Sequence, residues 1–283
     1  MFLIFLAGIL WGTIGIFEKT FLISGSEGSL SIFLRMFFAF SITFLISIFR
    51  DYKRLLIDKS TLTVCFLLGI ISNGIFNIFY SNSIRLNGMA IAAVLMYTAP
   101  IFTSLASRIL FHENFSRYKI ISLILNILGC VLTVTGGNIF NPEISIYGVL
   151  CGIGSGFCYG MAPIIAKIGG EKTDSLTMSV YSFLFAALFL ALFTTPPLRI
   201  LNAKFLGLGF LYGFIPTSFA YLIYYAGIKK IGGSNMSKVP VIASIEPVTA
   251  ILIGSIFYSE KIGFVNLFGI ILVMLGIILA IKK

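Results

Sequence analysis

The sequence has one histidine, one tryptophan, four cysteines and few charges, 11% in all, with only 10 Asp and Glu against 20 Lys and Arg. Each shortage removes a class of function. A lone His112 cannot supply the paired imidazoles of a zinc site, and neither a Walker A loop nor a nucleophile elbow is present. No catalytic residue, metal or cofactor is therefore expected. Cys65, Cys130, Cys151 and Cys158 all fall inside apolar runs, where a thiol packs as a small apolar group, so no disulfide is expected either. Hydrophobic residues make up 58% of 283, more than one soluble core of this size can hide.

What is present is a series of apolar runs of about 20 residues, the length that crosses roughly 30 Å of hydrocarbon. Breaks at charge, Pro, Gly and Asn clusters give ten helices, near 2–21, 29–49, 61–83, 88–107, 116–136, 146–167, 175–194, 204–227, 234–256 and 263–281. The expected fold is all-α integral membrane. The first run lacks a basic n-region and carries Glu18 and Lys19, so it reads as a retained helix rather than a signal peptide. The net charge of +10 follows the loops. With the N-terminus inside, thirteen Lys and Arg collect on the inner side and five on the outer, with Arg35 and Lys238 inside spans completing the 20. That bias places both termini in the cytoplasm, in a cell inner (plasma) membrane, and makes nucleic acid an unexpected partner.

Sliding the chain against itself by 147 residues places Met89 on Met236, Pro100 on Pro247, Glu113 on Glu260 and Gly129 on Gly276. A shift of 148 places Trp11-Gly12 on Tyr159-Gly160. Two repeats follow, 1–137 (helices 1–5) and 146–283 (helices 6–10), together one membrane domain. Because five is odd, the second repeat enters from the opposite side, the inverted arrangement of many alternating-access carriers.

Ionisable groups inside a span are costly and need a partner or a watery cavity. Glu18, Arg35, Lys238 and Glu246 qualify as coupling or gating candidates. The first hairpin can bring Glu18 to Arg35, as a static ion pair or as a gate or substrate-carboxylate site. Glu246 precedes Pro247, which cannot donate a helical hydrogen bond, so its carboxylate could bind a proton or an amine, or pair with Lys238. Lys238, at the helix end, suits snorkelling and orientation. Asn73, Asn77, Tyr80 and Ser81 on helix 3, with Thr217, Tyr221, Tyr224 and Tyr225 on helix 8, form polar faces at helical spacing and are the candidate cavity lining. Tyr97 and Trp11 are candidates for an aromatic wall, with packing as their default. The stripes Gly8-Gly12 and Gly152-Gly156-Gly160 are expected to be packing seams. Glu113 and Glu260 are expected to cap or turn the helix junctions.

Trp11-Gly12, Arg35 before an apolar run, Pro100 with Glu113, and Glu246-Pro247 with Glu260 resemble the drug/metabolite transporter superfamily, in particular its ten-helix EamA-type transporters. The resemblance covers essentially the whole chain and implies two EamA repeats around a central substrate cavity. The implied function is secondary export of a small metabolite such as an amino acid, with multidrug or amine efflux as the alternative. From another class, an intramembrane lipid-handling enzyme or flippase is the rival. The expected partners are a small-molecule substrate and membrane lipid, with Glu246 a candidate for proton coupling.

Overall fold

Nine helices among the described residues are long and apolar enough to cross a bilayer, and a shorter apolar helix completes a set of ten. The computed structural model describes residues 1–24, 28–138, 144–170, 173–194, 202–259 and 261–282; Glu260, Lys172, Arg199 and Lys283 lie outside them. In chain order the helices are α1 (Phe2–Ile23), α2 (Gly28–Asp51), α3 (Lys59–Asn87), α4 (Met89–Phe111), α5 (Arg117–Thr135), α6 (Ile146–Gly169), α7 (Ser175–Ala191), α8 (Ala203–Lys229), α9 (Lys238–Tyr258) and α10 (Phe264–Ile281). The architecture is all-α and membrane-spanning, in two inverted halves of five. Two expected boundaries shift for local reasons. α3 and α4 run longer than expected because only Gly88, at φ 83°, separates them, a conformation that glycine adopts freely. α9 starts at Lys238 rather than 234 because Gly233–Asn235 winds as a short 3-10 turn.

Three spans are broken near their middle. α1 is interrupted at Thr13, α4 between Met96 and Ala99, and α9 at Ser244. In α4 and α9 the cause is proline: Pro100 and Pro247 have no N–H for the carbonyl four residues back, so each helix restarts with its proline in the first turn. Short hydroxyl side chains add hydrogen bonds to nearby carbonyls at each break. Thr13 donates to Leu10 O at 2.7 Å, Thr98 to Leu95 O at 2.6 Å and Ser244 to Val241 O at 2.6 Å. α3 and α8 instead widen into π-helical turns at Leu68–Ile75 and Phe214–Phe219. There Asn73 Nδ2 donates to Leu68 O at 3.2 Å and Thr217 Oγ1 to Tyr212 O at 3.0 Å, both five residues back. Such turns are frequent at functional sites.

The halves pack as an internal two-fold. α1 presses its glycines on the α9 break: a Cβ at Gly8 would meet Ala243 O at 2.5 Å and one at Gly12 would meet Thr249 Cβ at 2.5 Å. α6 repeats this on the α4 break, where a Cβ at Gly156 would meet Thr98 Oγ1 at 2.5 Å and one at Gly160 would meet Ala99 O at 2.6 Å. The two stripes are thus packing seams, and Thr103 adds a hydrogen bond to Gly160 O at 2.6 Å. α5 packs on α10 in the same reciprocal way, Gly129 against Gly269 and Gly276 against Ser122. Outward-facing Ile120, Ile124, Leu128, Phe268, Ile271 and Leu275 leave the far faces of this pair apolar and exposed, as lipid contact requires.

Candidate functional site

The interior between the halves holds two polar nodes separated by aromatic rings. The first lies among α1, α2, α3 and α8. Arg35, 7% exposed, donates from Nη2 to Asn77 Oδ1 at 3.0 Å and from Nη1 to the Tyr212 hydroxyl at 3.2 Å. Tyr212 in turn donates to Glu18 Oε1, and Ser31 donates to Glu18 Oε2 at 3.1 Å. Glu18 and Arg35 therefore meet as expected of the first hairpin, but through a tyrosine from the second half rather than face to face. Asn77 also donates to Asn73 O, which fixes its amide for the guanidinium. The Arg35 Nε has no partner among the described residues.

The second node is Glu246, in the first turn after the α9 break. Its Oε2 accepts from the Tyr159 hydroxyl at 3.3 Å. The open N-terminus of a half-helix favours negative charge, so the break that Pro247 creates also stabilises the carboxylate beside it. Lys238 does not approach Glu246. It lies at the start of α9, ahead of the break, lining a separate small cavity with Lys119 and Ser237.

Between the nodes stands an aromatic wall. Trp11 lies 4.8 Å from Tyr224, 5.2 Å from Tyr221 and 6.0 Å from Tyr159, centroid to centroid. Phe76 joins Tyr159 at 5.8 Å to Tyr80 at 5.8 Å, and Tyr225 closes on Tyr221 at 5.7 Å. Glu18, Phe76, Tyr80, Tyr159, Tyr221 and Glu246 are half-buried while their neighbours Trp11, Asn77, Tyr97, Tyr224 and Tyr225 are buried. Of the half-buried set, Phe76 touches both Tyr80 and Tyr159, and Tyr159 reaches Glu246, so α3, α6 and α9 meet at these side chains.

Asn73 and Thr217 are brought to the site but spend their donors on the π-helical turns. Tyr97 sits in the α4 break, buried against Cys130, Ile245 and Val248. Three participants escaped the sequence reading: Tyr159, Tyr212 and Phe76. Tyr159 was within reach, because the repeat places it on Trp11. Tyr212 offered no such signal, being one tyrosine among 12. A further relation appears only in the structure. A shift of 144 carries Lys59, which opens α3, onto Ala203, which opens α8, and with them Asn73, Asn77, Tyr80 and Ser81 onto Thr217, Tyr221, Tyr224 and Tyr225. The two polar faces chosen for their clustering are thus one set of positions, used twice.

The profile of the EamA-like transporter family matches residues 1–135 and again residues 146–282. An uncharacterized transporter of Archaeoglobus fulgidus is 26% identical over 286 residues, covering 99% of this chain and 95% of its own. The uncharacterized transporter YoaV of Bacillus subtilis is 26% identical over 254 residues, covering 86% of this chain and 84% of its own. A protein of known crystal structure superimposes with a TM-score of 0.81 at 16% identity, over 99% of this chain and 96% of the other, a likeness of fold.

Proposed function

Because the chain belongs to the EamA-like transporter family, we propose that it is an alternating-access carrier exporting a small zwitterion such as an amino acid. The observation that carries this reading is the pairing of opposite charges, Arg35 and Glu246, across an aromatic-walled interior. A guanidinium holds a carboxylate through planar paired donors. A carboxylate bonded to Tyr159, whose ring lies against Trp11 and Phe76, suits an ammonium, which ring faces also attract. The apolar walls between them would take a side chain.

A second reading is favoured by one detail. Tyr212 and Asn77 already occupy the two Nη atoms of Arg35, leaving Glu246 as the more open node, which would suit an organic amine or cationic drug. The two readings separate in one experiment: efflux of a labelled amino-acid mixture and of a labelled amine from cells expressing the chain, Arg35→Ala or Glu246→Gln at matched level. Amino-acid efflux lost in both variants supports the zwitterion. Amine efflux lost only with Glu246→Gln supports the cation, and efflux indifferent to both variants refutes this site.

The lysine and arginine bias supports both termini in the cytoplasm of the cell inner membrane. A reporter fused to the C-terminus that is active only outside the cytoplasm is expected to stay silent; activity would reverse the topology.

A further inference from the structure

The cavity at the start of α9 lies apart from the central site. It measures about 60 Å³ and is lined by Ser104, Lys119, Ser122, Ser237 and Lys238, with Ile120 and Phe115 among its apolar walls. Space for a few water-sized groups is present at that volume. It sits on the Lys- and Arg-rich side of the bundle, where the α4–α5 junction meets the end of α10.

The charges in this corner do not balance. Glu113 is 1% exposed and its two oxygens are saturated: Lys119 Nζ donates at 2.7 Å, the Ser237 N–H at 3.1 Å, and the Ser107 and Ser237 hydroxyls complete the set. A carboxylate offers about four acceptor sites, so Glu113 is fully used in tying the α4–α5 junction to the start of α9 and in neutralising Lys119. Lys238 is left over. It is 7% exposed, lines the cavity, and has no hydrogen bond or ion pair among the described residues. No second carboxylate lines the space. An ammonium beside Lys119, with its acid neighbour Glu113 already bonded, favours a further anion.

A further counter-charge would have to come from outside the chain. Ile120, which lines the cavity, is 47% exposed on the apolar outer face of α5, and the other walls are mainly apolar. A basic pocket between helices, at headgroup depth with apolar walls, matches the chemistry of an anionic phospholipid. We propose that this cavity binds a phosphate group through Lys238, with the hydroxyl of Ser104 as a second donor. Phosphate could come from a lipid headgroup or from free inorganic phosphate, and the test separates the two.

The purified full chain is placed in nanodiscs of phosphatidylcholine alone and its thermal midpoint is followed as phosphatidylglycerol is included or inorganic phosphate is added. A wild-type midpoint raised by phosphatidylglycerol and not by inorganic phosphate identifies a lipid site. One raised by inorganic phosphate alone identifies a free-anion site. In either case Lys238→Met is expected to weaken the apparent affinity by about tenfold or more, the loss of one ionic contact of about 1.4 kcal/mol, while Lys238→Arg retains it. No shift in the wild type with either additive overturns the proposal, as does an undiminished response in Lys238→Met. Should Lys238→Met not fold, Lys238→Gln serves as the neutral variant.

Discussion

Tyr212→Phe tests whether the first polar node is a clamp between the halves. The substitution removes one oxygen and little else, since the ring stays stacked on Phe17 at 5.1 Å and 2°. The lost hydroxyl donates to Glu18 and accepts from Arg35 at 3.2 Å, and Tyr212 is fully buried. Hydrogen bonds to charged groups contribute about 1.5–3 kcal/mol each in water-soluble proteins. Polar contacts inside membranes measure less, about 0.6 kcal/mol on average and about 1.7 at most. Two bonds on the membrane scale, with Arg35 still held by Asn77 and Glu18 by Ser31, give an expected loss of about 1–3 kcal/mol. Reversible unfolding in mixed detergent micelles reads it, with Tyr147→Phe at the exposed start of α6 as the control. In a double-mutant cycle with Glu18→Gln the coupling energy is expected near 1 kcal/mol. A loss below about 0.5 kcal/mol, or strict additivity in the cycle, would refute the clamp. Tyr212 belongs to the second half and Glu18, Arg35 and Asn77 to the first, so under the alternating-access reading a clamp made in one conformation alone would, when weakened, shift that balance by about tenfold.

Gly12→Ala is expected to cost about 1–3 kcal/mol by forcing α1 from α9, since its Cβ would meet Thr249 Cβ at 2.5 Å. Gly15→Ala, where nothing lies within 4 Å, is expected to leave thermal unfolding unchanged or slightly raised; equal effects would sink the seam. His112 and Ser259 end α4 and α9 at φ 52° and 55°, so His112→Gly and Ser259→Gly are each expected to stabilise by about 0.5–1 kcal/mol, read as a higher thermal midpoint. Glu246→Gln is expected to remove the pH dependence of transport if that carboxylate exchanges protons, whereas Tyr159→Phe keeps the dependence and displaces its midpoint; pH-dependent flux unchanged in Glu246→Gln excludes the coupling role.

The ten spans were legible because the bilayer imposes length and apolarity on every one of them. The inverted halves were legible because the prolines at the helix breaks, the packing glycines and the glutamates after α4 and α9 are matched between repeats. The breaks and π-helical turns were harder to read, since they depend on carbonyls whose substitutes, such as Asn73 and Thr217, look like cavity residues in the sequence. Their polarity marked the correct faces, while much of their bonding turns out to serve the backbone. Tyr212 was illegible for a different reason. Its role arises from packing α8 against α2, where Gly213 lets the helices approach until a Cβ there would lie 3.0 Å from Arg35 O, and one chain read alone does not show which tyrosine that approach delivers.

The central site combines a matched backbone with unmatched chemistry. Carrying α2 onto α7 by 147 residues puts Arg35 on Ser182, and the same shift puts Ala99 on Glu246. The correspondence is structural as well, since Gly213 meets Arg35 O as Gly69 meets Ser182 O. Under the alternating-access reading, each half must adopt the conformation of the other when the site changes sides. That exchange requires equivalent breaks, wide turns and glycine contacts, and the two halves share them in α3 with α8 and in α4 with α9. Substrate recognition has the opposite requirement. Two identical halves would offer a ligand two identical poles, whereas one guanidinium and one carboxylate offer a direction. A doubled variant, Arg35→Ser with Ser182→Arg, therefore makes a sharp test. If Arg35 acts mainly as a pole of the site, moving the charge to the equivalent position should restore part of the flux that Arg35→Ser alone removes. If it acts mainly as the clamp to Tyr212 and Glu18, the doubled variant should be as inactive as the single one, and the zwitterion reading would lose its cationic pole.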